Sequence, residues 1–233
     1  MNPQQQTVLI TGAAGHLGQA LAATYRGRGA RRVLVDRHAD ALARAFGESA
    51  DTLLLAADLL DAEQVHAAVL QAVDRFGRID ALCHLAGGFR MGEAVHETSP
   101  QTWDFLLDLN ARTFLNIARA LVPHMLERGG GRIVTVGAAA ALKGAGQMGA
   151  YAASKSALIR LTEAMSAELR DRNINVNCVL PSIIDTPDNR AAMPDADTKR
   201  WVAPEALGEV IAFLASEAAR AVHGAAVPVT GRV

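Results

Sequence analysis

The chain has 233 residues, half of them hydrophobic and a fifth charged, with 23 Lys and Arg against 24 Asp and Glu. That length suits one α/β domain over residues 1–233, and the charge balance excludes a disordered tail protein and a strongly basic nucleic-acid binder. No apolar stretch reaches the roughly 18 residues of a spanning helix, and the start, MNPQQQTVLITG, has no basic segment leading into a signal-length apolar run. A cytoplasmic protein with neither membrane nor nucleic-acid partners is expected.

Apolar runs at 7–10, 32–35, 52–56, 81–85, 132–136, 175–180 and 226–229 read as seven strands alternating with helical patterns. The runs are apolar on both parities, as a sheet covered on two faces requires, and strand–helix–strand alternation makes that sheet parallel. The expected architecture is a single-domain, Rossmann-like, doubly wound α/β fold.

The first strand runs into TGAAGHLG (11–18), whose Gly12, Gly15 and Gly18 stand at the entry to a helix. Glycines there let backbone approach a phosphate, and a helix N-terminus offers free N–H groups and the positive end of a dipole. Asp36 closes the second strand 18 residues after Gly18, where an acid accepts hydrogen bonds from ribose hydroxyls and repels a 2′-phosphate. NAD(H) is therefore the expected cofactor and NADP(H) the less favoured. Arg37 and the cluster Arg26, Arg28, Arg31 and Arg32 argue the other way, or form a solvated surface. Asp61 and Gln64 mark a helix start, followed by the stripe Val65, Val69, Ala72 and Phe76.

Cys83 and Cys178 both lie in apolar runs, which suits buried thiols without metal-ligand company. A helix over 100–129 has an inward stripe of Trp103, Leu107, Phe114, Ile117, Leu121 and Met125, with Asn110 in the seam. A buried amide needs partners, either as glue between helices or as part of a site. The helix over 147–171 has a stripe of Met148, Tyr151, Leu158, Thr162, Met165 and Leu169, and Lys155 falls in it. Tyr151 and Lys155, four apart, share a face, so the cation could lower the phenol pKa and make an acid/base; a snorkelling lysine beside a core tyrosine is the alternative. From Ser182 to Ala203, Pro187, Pro194 and scattered charges forbid a long regular element, and a loop of that length suits a substrate lid. The last helical stripe runs through Leu207, Val210 or Ile211, and Leu214.

TGAAGHLG, VLVDR, AADL, LAGG, LNARTF, YAASK and LPSIIDTP together resemble the short-chain dehydrogenase/reductase family over nearly the whole chain. The resemblance implies that Tyr151 is the general acid/base, that Lys155 binds the nicotinamide ribose and depresses the Tyr151 pKa, and that Asn110 holds the water of a proton relay. It places His16 and Leu17 with the glycines at the phosphates and Asp36 with Arg37 at the adenosine ribose. Asp58 and Leu59 would meet the adenine, Ala86 and Gly87 the cofactor floor, and Pro181, Ile184 and Thr186 the carboxamide.

Three positions depart from the family pattern: His16 stands for a glycine, Leu85 for the usual asparagine of the fourth strand, and Ala138 for the serine expected 13 residues before Tyr151. The segments TVGAAAALKG and LPSIIDTPDNRAAMPDAD resemble a branch of the family, the dihydropteridine reductases, which use Tyr and Lys without that serine and prefer NADH. The expected function is hydride transfer between NAD(H) and a small carbonyl or alcohol. The alternatives are a dihydropteridine reductase-like activity and a silent NAD-binding sensor or scaffold. Apolar residues off the inward stripes, Leu106, Ala118, Leu161 and Ala164, together with the pairing common among relatives, predict a homodimer or homotetramer.

Overall fold

In the computed structural model, which describes residues 5–233, strands β1 (Thr7–Thr11), β2 (Arg31–Asp36), β3 (Thr52–Ala56), β4 (Ala81–His84), β5 (Gly131–Val136), β6 (Ile174–Pro181) and β7 (Ala226–Val229) form one parallel sheet. Its order is β3-β2-β1-β4-β5-β6-β7. β1 pairs with β2 on one side (Leu9 opposite Val33) and β4 on the other (Leu9 opposite Leu82), so the order reverses between β1 and β4 and a crevice opens beyond their carboxyl ends. Every residue of β1, β4 and β6 is buried, as their apolar character on both parities requires.

Helices α1 (His16–Gly27), α2 (Ala39–Ala45) and α8 (Pro204–Leu214) cover one face through Leu21, Tyr25, Leu42, Leu207 and Ile211. Helices α3 (Ala62–Phe76), α5 (Thr113–Glu127) and α6 (Gly149–Leu169) cover the other through Val65, Phe76, Phe114, Leu121 and Leu158. The expected start of α3 is present: Asp61 accepts from the backbone N–H groups of Glu63 (2.9 Å) and Gln64 (3.1 Å), and Gln64 reaches back to it. Such a cap contributes about 1 kcal/mol. Both cysteines are free and buried.

The helix expected over 100–129 is interrupted. α4 (Pro100–Leu107) passes into a π turn at Asp108–Arg112, in which the Thr113 N–H bonds the Asp108 carbonyl five residues back. One extra residue rotates α4 against α5 by about 100°, so a stripe drawn at constant period cannot hold on both sides of the turn. Trp103, expected inward, is consequently 43% exposed, and Leu106 is buried in its place. Ala118 is also buried in the core, so neither it nor Leu106 is available to a second subunit.

Segment 182–203 holds no long element. Its base is tied by Asp185 N–H to Val202 O (2.8 Å) and Val202 N–H to Ile183 O (2.9 Å), and its tip is the short helix α7 (Pro187–Ala192), capped by the Thr186 hydroxyl. Among the described residues no helix is long and apolar enough to cross a membrane.

Candidate active site

A crevice of about 1120 Å³ runs along the carboxyl ends of the strands from Asp58 to Met193. Gly12, Gly15, His16, Leu17 and Gly18 line its first part. Gly12 has a φ of +66°, and a Cβ there would stand 2.9 Å from the Ala86 nitrogen. A Cβ on Gly18 would collide with the Gly12 carbonyl and lie 2.5 Å from the Ala13 oxygen. No side chain caps the start of α1, so its first N–H groups face the crevice open, as a pyrophosphate site needs. Asp36 accepts from the Ala14 N–H through Oδ2 (3.0 Å), which fixes its carboxylate at the rim and leaves Oδ1 without a partner among the described residues. Arg37, Asp58 and Leu59 border the same end, and Ala86 and Gly87 form the floor. The chain thus presents a glycine cradle, an open helix terminus and a fixed acid, and these residues fit a dinucleotide.

At the other end lie Tyr151, Lys155, Pro181, Ile184 and Thr186. Lys155 is buried and donates to the Val136 carbonyl (2.9 Å). Burial lowers its pKa to about 8. Burial pushes the Tyr151 phenol up to about 12, and its ring packs edge-on against Phe89 with centroids 4.8 Å apart. The expected lowering of the Tyr151 pKa by Lys155 is therefore absent here: the ammonium is held at Val136, and loss of water around the phenol governs.

Asn110 does not line the crevice; it is fully buried behind it, in the π turn. Its Oδ1 accepts from the Gly88 N–H (2.9 Å), and its Nδ2 donates to the Gly88 carbonyl and the Ser154 hydroxyl (both 3.0 Å). Ser154 in turn donates to the Tyr151 carbonyl (2.8 Å). The amide joins the floor loop to α6 through these three bonds, and its Oδ1 keeps a second lone pair. Gly87 must be small because a Cβ there would stand 2.9 Å from both Asn110 Oδ1 and Lys155 Nζ.

The sequence pattern did not single out His84, Thr11 or Thr113. Next to Leu85, buried His84 lies 2.9 Å from Thr11 Oγ1 and 3.3 Å from Thr113 Oγ1. Thr11 also accepts from the Ala86 N–H (3.3 Å). Polar residues inside all-buried strands were the available signal, since such groups need partners. Around Tyr151, Ala138, Ala139 and Ala140 present only methyl groups, and Leu109, Phe89, Met91, Met148 and Met193 complete an apolar wall. A cavity of about 220 Å³ adjoins Tyr151, with Arg90 stacked 3.7 Å over the Phe105 ring at its edge.

The family profile described as short chain dehydrogenase matches residues 6–197. D-threitol dehydrogenase of Mycolicibacterium smegmatis is 33% identical over 239 residues, covering 97% of this chain and 92% of that protein. The 3-oxoacyl-[acyl-carrier-protein] reductase of Thermotoga maritima is 30% identical, covering 99% and 98%. Among solved structures, the 3-ketoacyl-(acyl-carrier-protein) reductase of Brucella melitensis complexed with NADH superposes with a TM-score of 0.88 at 30% identity, covering 97% and 98%.

Proposed function

The chain belongs to the short-chain dehydrogenase family, and from that premise we propose that it is an NADH-preferring reductase of conjugated carbonyl or imine substrates, with Tyr151 as the proton donor. The observation that carries this reading is the inner end of the crevice, where a half-buried Tyr151 and a buried Lys155 meet a wall with no side-chain hydroxyl at Ala138. Bound nicotinamide supplies a hydride in this family of reactions. Lys155 would hold its ribose, Pro181, Ile184 and Thr186 its carboxamide, and the open start of α1 the pyrophosphate. Asp36 would hold the adenosine ribose, and a 2′-phosphate beside that carboxylate brings two negative charges together.

With its pKa raised, Tyr151 keeps its proton at neutral pH, so the phenol suits donation to a substrate oxygen or nitrogen and hence the reducing direction. A family serine at 138 would give a developing alkoxide one hydrogen bond, a group worth about 2.7–4 kcal/mol in such sites. A substrate that spreads its charge over a conjugated ring, as a quinonoid dihydropterin does, needs that bond less, and the polarizable methionine-rich wall suits the face of a flat conjugated ring. The dihydropteridine reductase-like activity is the finer form of this proposal. α7, whose Asp188 and Ala192 border the crevice, serves as its lid. Exposed Trp103, Leu115 and Ala164 supply the face for a homodimer or homotetramer, which light scattering at micromolar concentration checks.

The test is NADH oxidation against a panel of quinonoid dihydropterin, quinones, diketones and oxoacyl thioesters. Tyr151→Phe is expected to lower kcat on the best substrate by roughly 10²–10⁴-fold while NADH still binds. Near-normal turnover by Tyr151→Phe, or no turnover of any panel member, overturns the reading.

A further inference from the structure

We propose that His84 is a positioning residue of this site: as a neutral imidazole protonated on Nε2, it locks the π turn that carries Asn110 to the threonine that precedes the phosphate loop. The direction of each bond follows from counting hydrogens. Thr113 has one hydroxyl proton, and it is given to the Leu109 carbonyl at 2.7 Å. Thr113 Oγ1 can then only accept at its 3.3 Å contact with His84 Nε2, so Nε2 must carry the hydrogen. Burial drives the ring neutral, with a pKa near 3, and Lys155 is the charged group acting on it. Nδ1 is therefore bare and accepts from the Thr11 hydroxyl at 2.9 Å, while Thr11 accepts from the Ala86 N–H.

The result is a chain with a single sense: Ala86 N–H to Thr11, Thr11 to His84, His84 to Thr113, Thr113 to Leu109. It ends inside the π turn, where the Leu109 carbonyl has lost its ordinary α-helical partner because the Thr113 N–H bonds Asp108 instead. The next residue is Asn110, whose amide holds Gly88 and Ser154, and Ser154 holds the Tyr151 carbonyl. His84 thereby couples the cofactor floor to the helix that presents Tyr151. Phe114 packs beside the imidazole, with ring centroids 5.5 Å apart, and restricts its tilt.

The proposal extends the oxidoreductase reading, and its first test is independent of any substrate. In protein labelled with ¹⁵N-histidine, the His84 imidazole, identified by its loss in His84→Gln, is expected to show a protonated Nε2 and a bare Nδ1 without titrating from about pH 5.5 to 8.5. A proton on Nδ1, or titration in that range, overturns the proposal. The second test measures kcat per NADH-binding site on the best panel substrate. His84→Gln, whose amide has one acceptor and one donor end, is expected to stay within about fivefold of the parent. His84→Phe and Thr113→Val are each expected to lose roughly 10–100-fold, with the double variant no worse than the worse single one. Additive losses, or full kcat in a folded Thr113→Val, sink the idea. Should His84→Phe not fold, the tautomer and Thr113→Val decide. A panel without turnover refutes the proposed function, and the tautomer then still tests His84.

Discussion

At the end of the crevice near α1 the wall is backbone: Gly12 in a left-handed conformation, Gly18 pressed on two carbonyls, and uncapped N–H groups. At the end near α6 the wall is side chains brought from four places: Tyr151 and Lys155 from α6, Asn110 behind them from the π turn, Ala138 beyond β5, and Phe89 from the floor loop. A backbone cradle is written into neighbouring residues and tolerates little change of side chain. A side-chain wall is assembled across the fold, so a residue that only lines it, as Ala138 does, can be exchanged with little cost to the backbone around it. Ala138 in place of a serine is such an exchange.

The widest effect expected from testing this contrast is at Ala138. Ala138→Ser should raise kcat/KM on simple ketones roughly 100- to 1000-fold, and on the conjugated substrate much less, because only a localised alkoxide needs the added donor. Equal gains on both would show that the substrate end is not matched to a delocalised acceptor.

Lys155 gives the next largest effect. Its folded-state pKa of about 8 lies below the unfolded value of about 10.4, so between those pH values the unfolded chain holds more protons and stability rises with pH. The burial penalty is full below pH 8. Denaturant titration of cofactor-free protein should therefore show Lys155→Met more stable than the parent by up to roughly 3 kcal/mol at pH 7, with the gap closing towards pH 10. A gap that is flat with pH would mean that the ammonium is solvated. In the same variant NADH binding should weaken.

The backbone end is probed by Gly18→Ala. Its methyl must push on the Gly12 and Ala13 carbonyls, an overpacking typically worth 1–3 kcal/mol, so NADH binding followed by fluorescence should weaken about 10- to 100-fold. Unchanged binding would break the claim that this end admits no side chain. The smallest effect is expected at the rim: Asp36→Ala should shift the NADH-over-NADPH ratio by about tenfold towards NADPH, because exposed Arg37 then acts unopposed. An unchanged ratio would place cofactor choice elsewhere.

Local sequence determined the seven strands, because a strand buried on both faces carries apolar residues on both parities, as β1, β4 and β6 do around their few buried polar residues. It also determined the glycine cradle before α1, the acid closing β2, the Asp61 cap of α3, and the shared face of Tyr151 and Lys155, all of which depend on spacing within a few residues. The tertiary structure alone decided the rest. The π turn changed the helical phase and sent Trp103 outward while Leu106 went in. Asn110 found Gly88 and Ser154, and His84 came to lie between Thr11 and Thr113. The Tyr151 pKa rose because its phenol lost water on burial. Periodicity reports which way a residue faces within its own element. Hydrogen-bond partners and desolvation are set by distant elements that pack against it, and no local pattern encodes them.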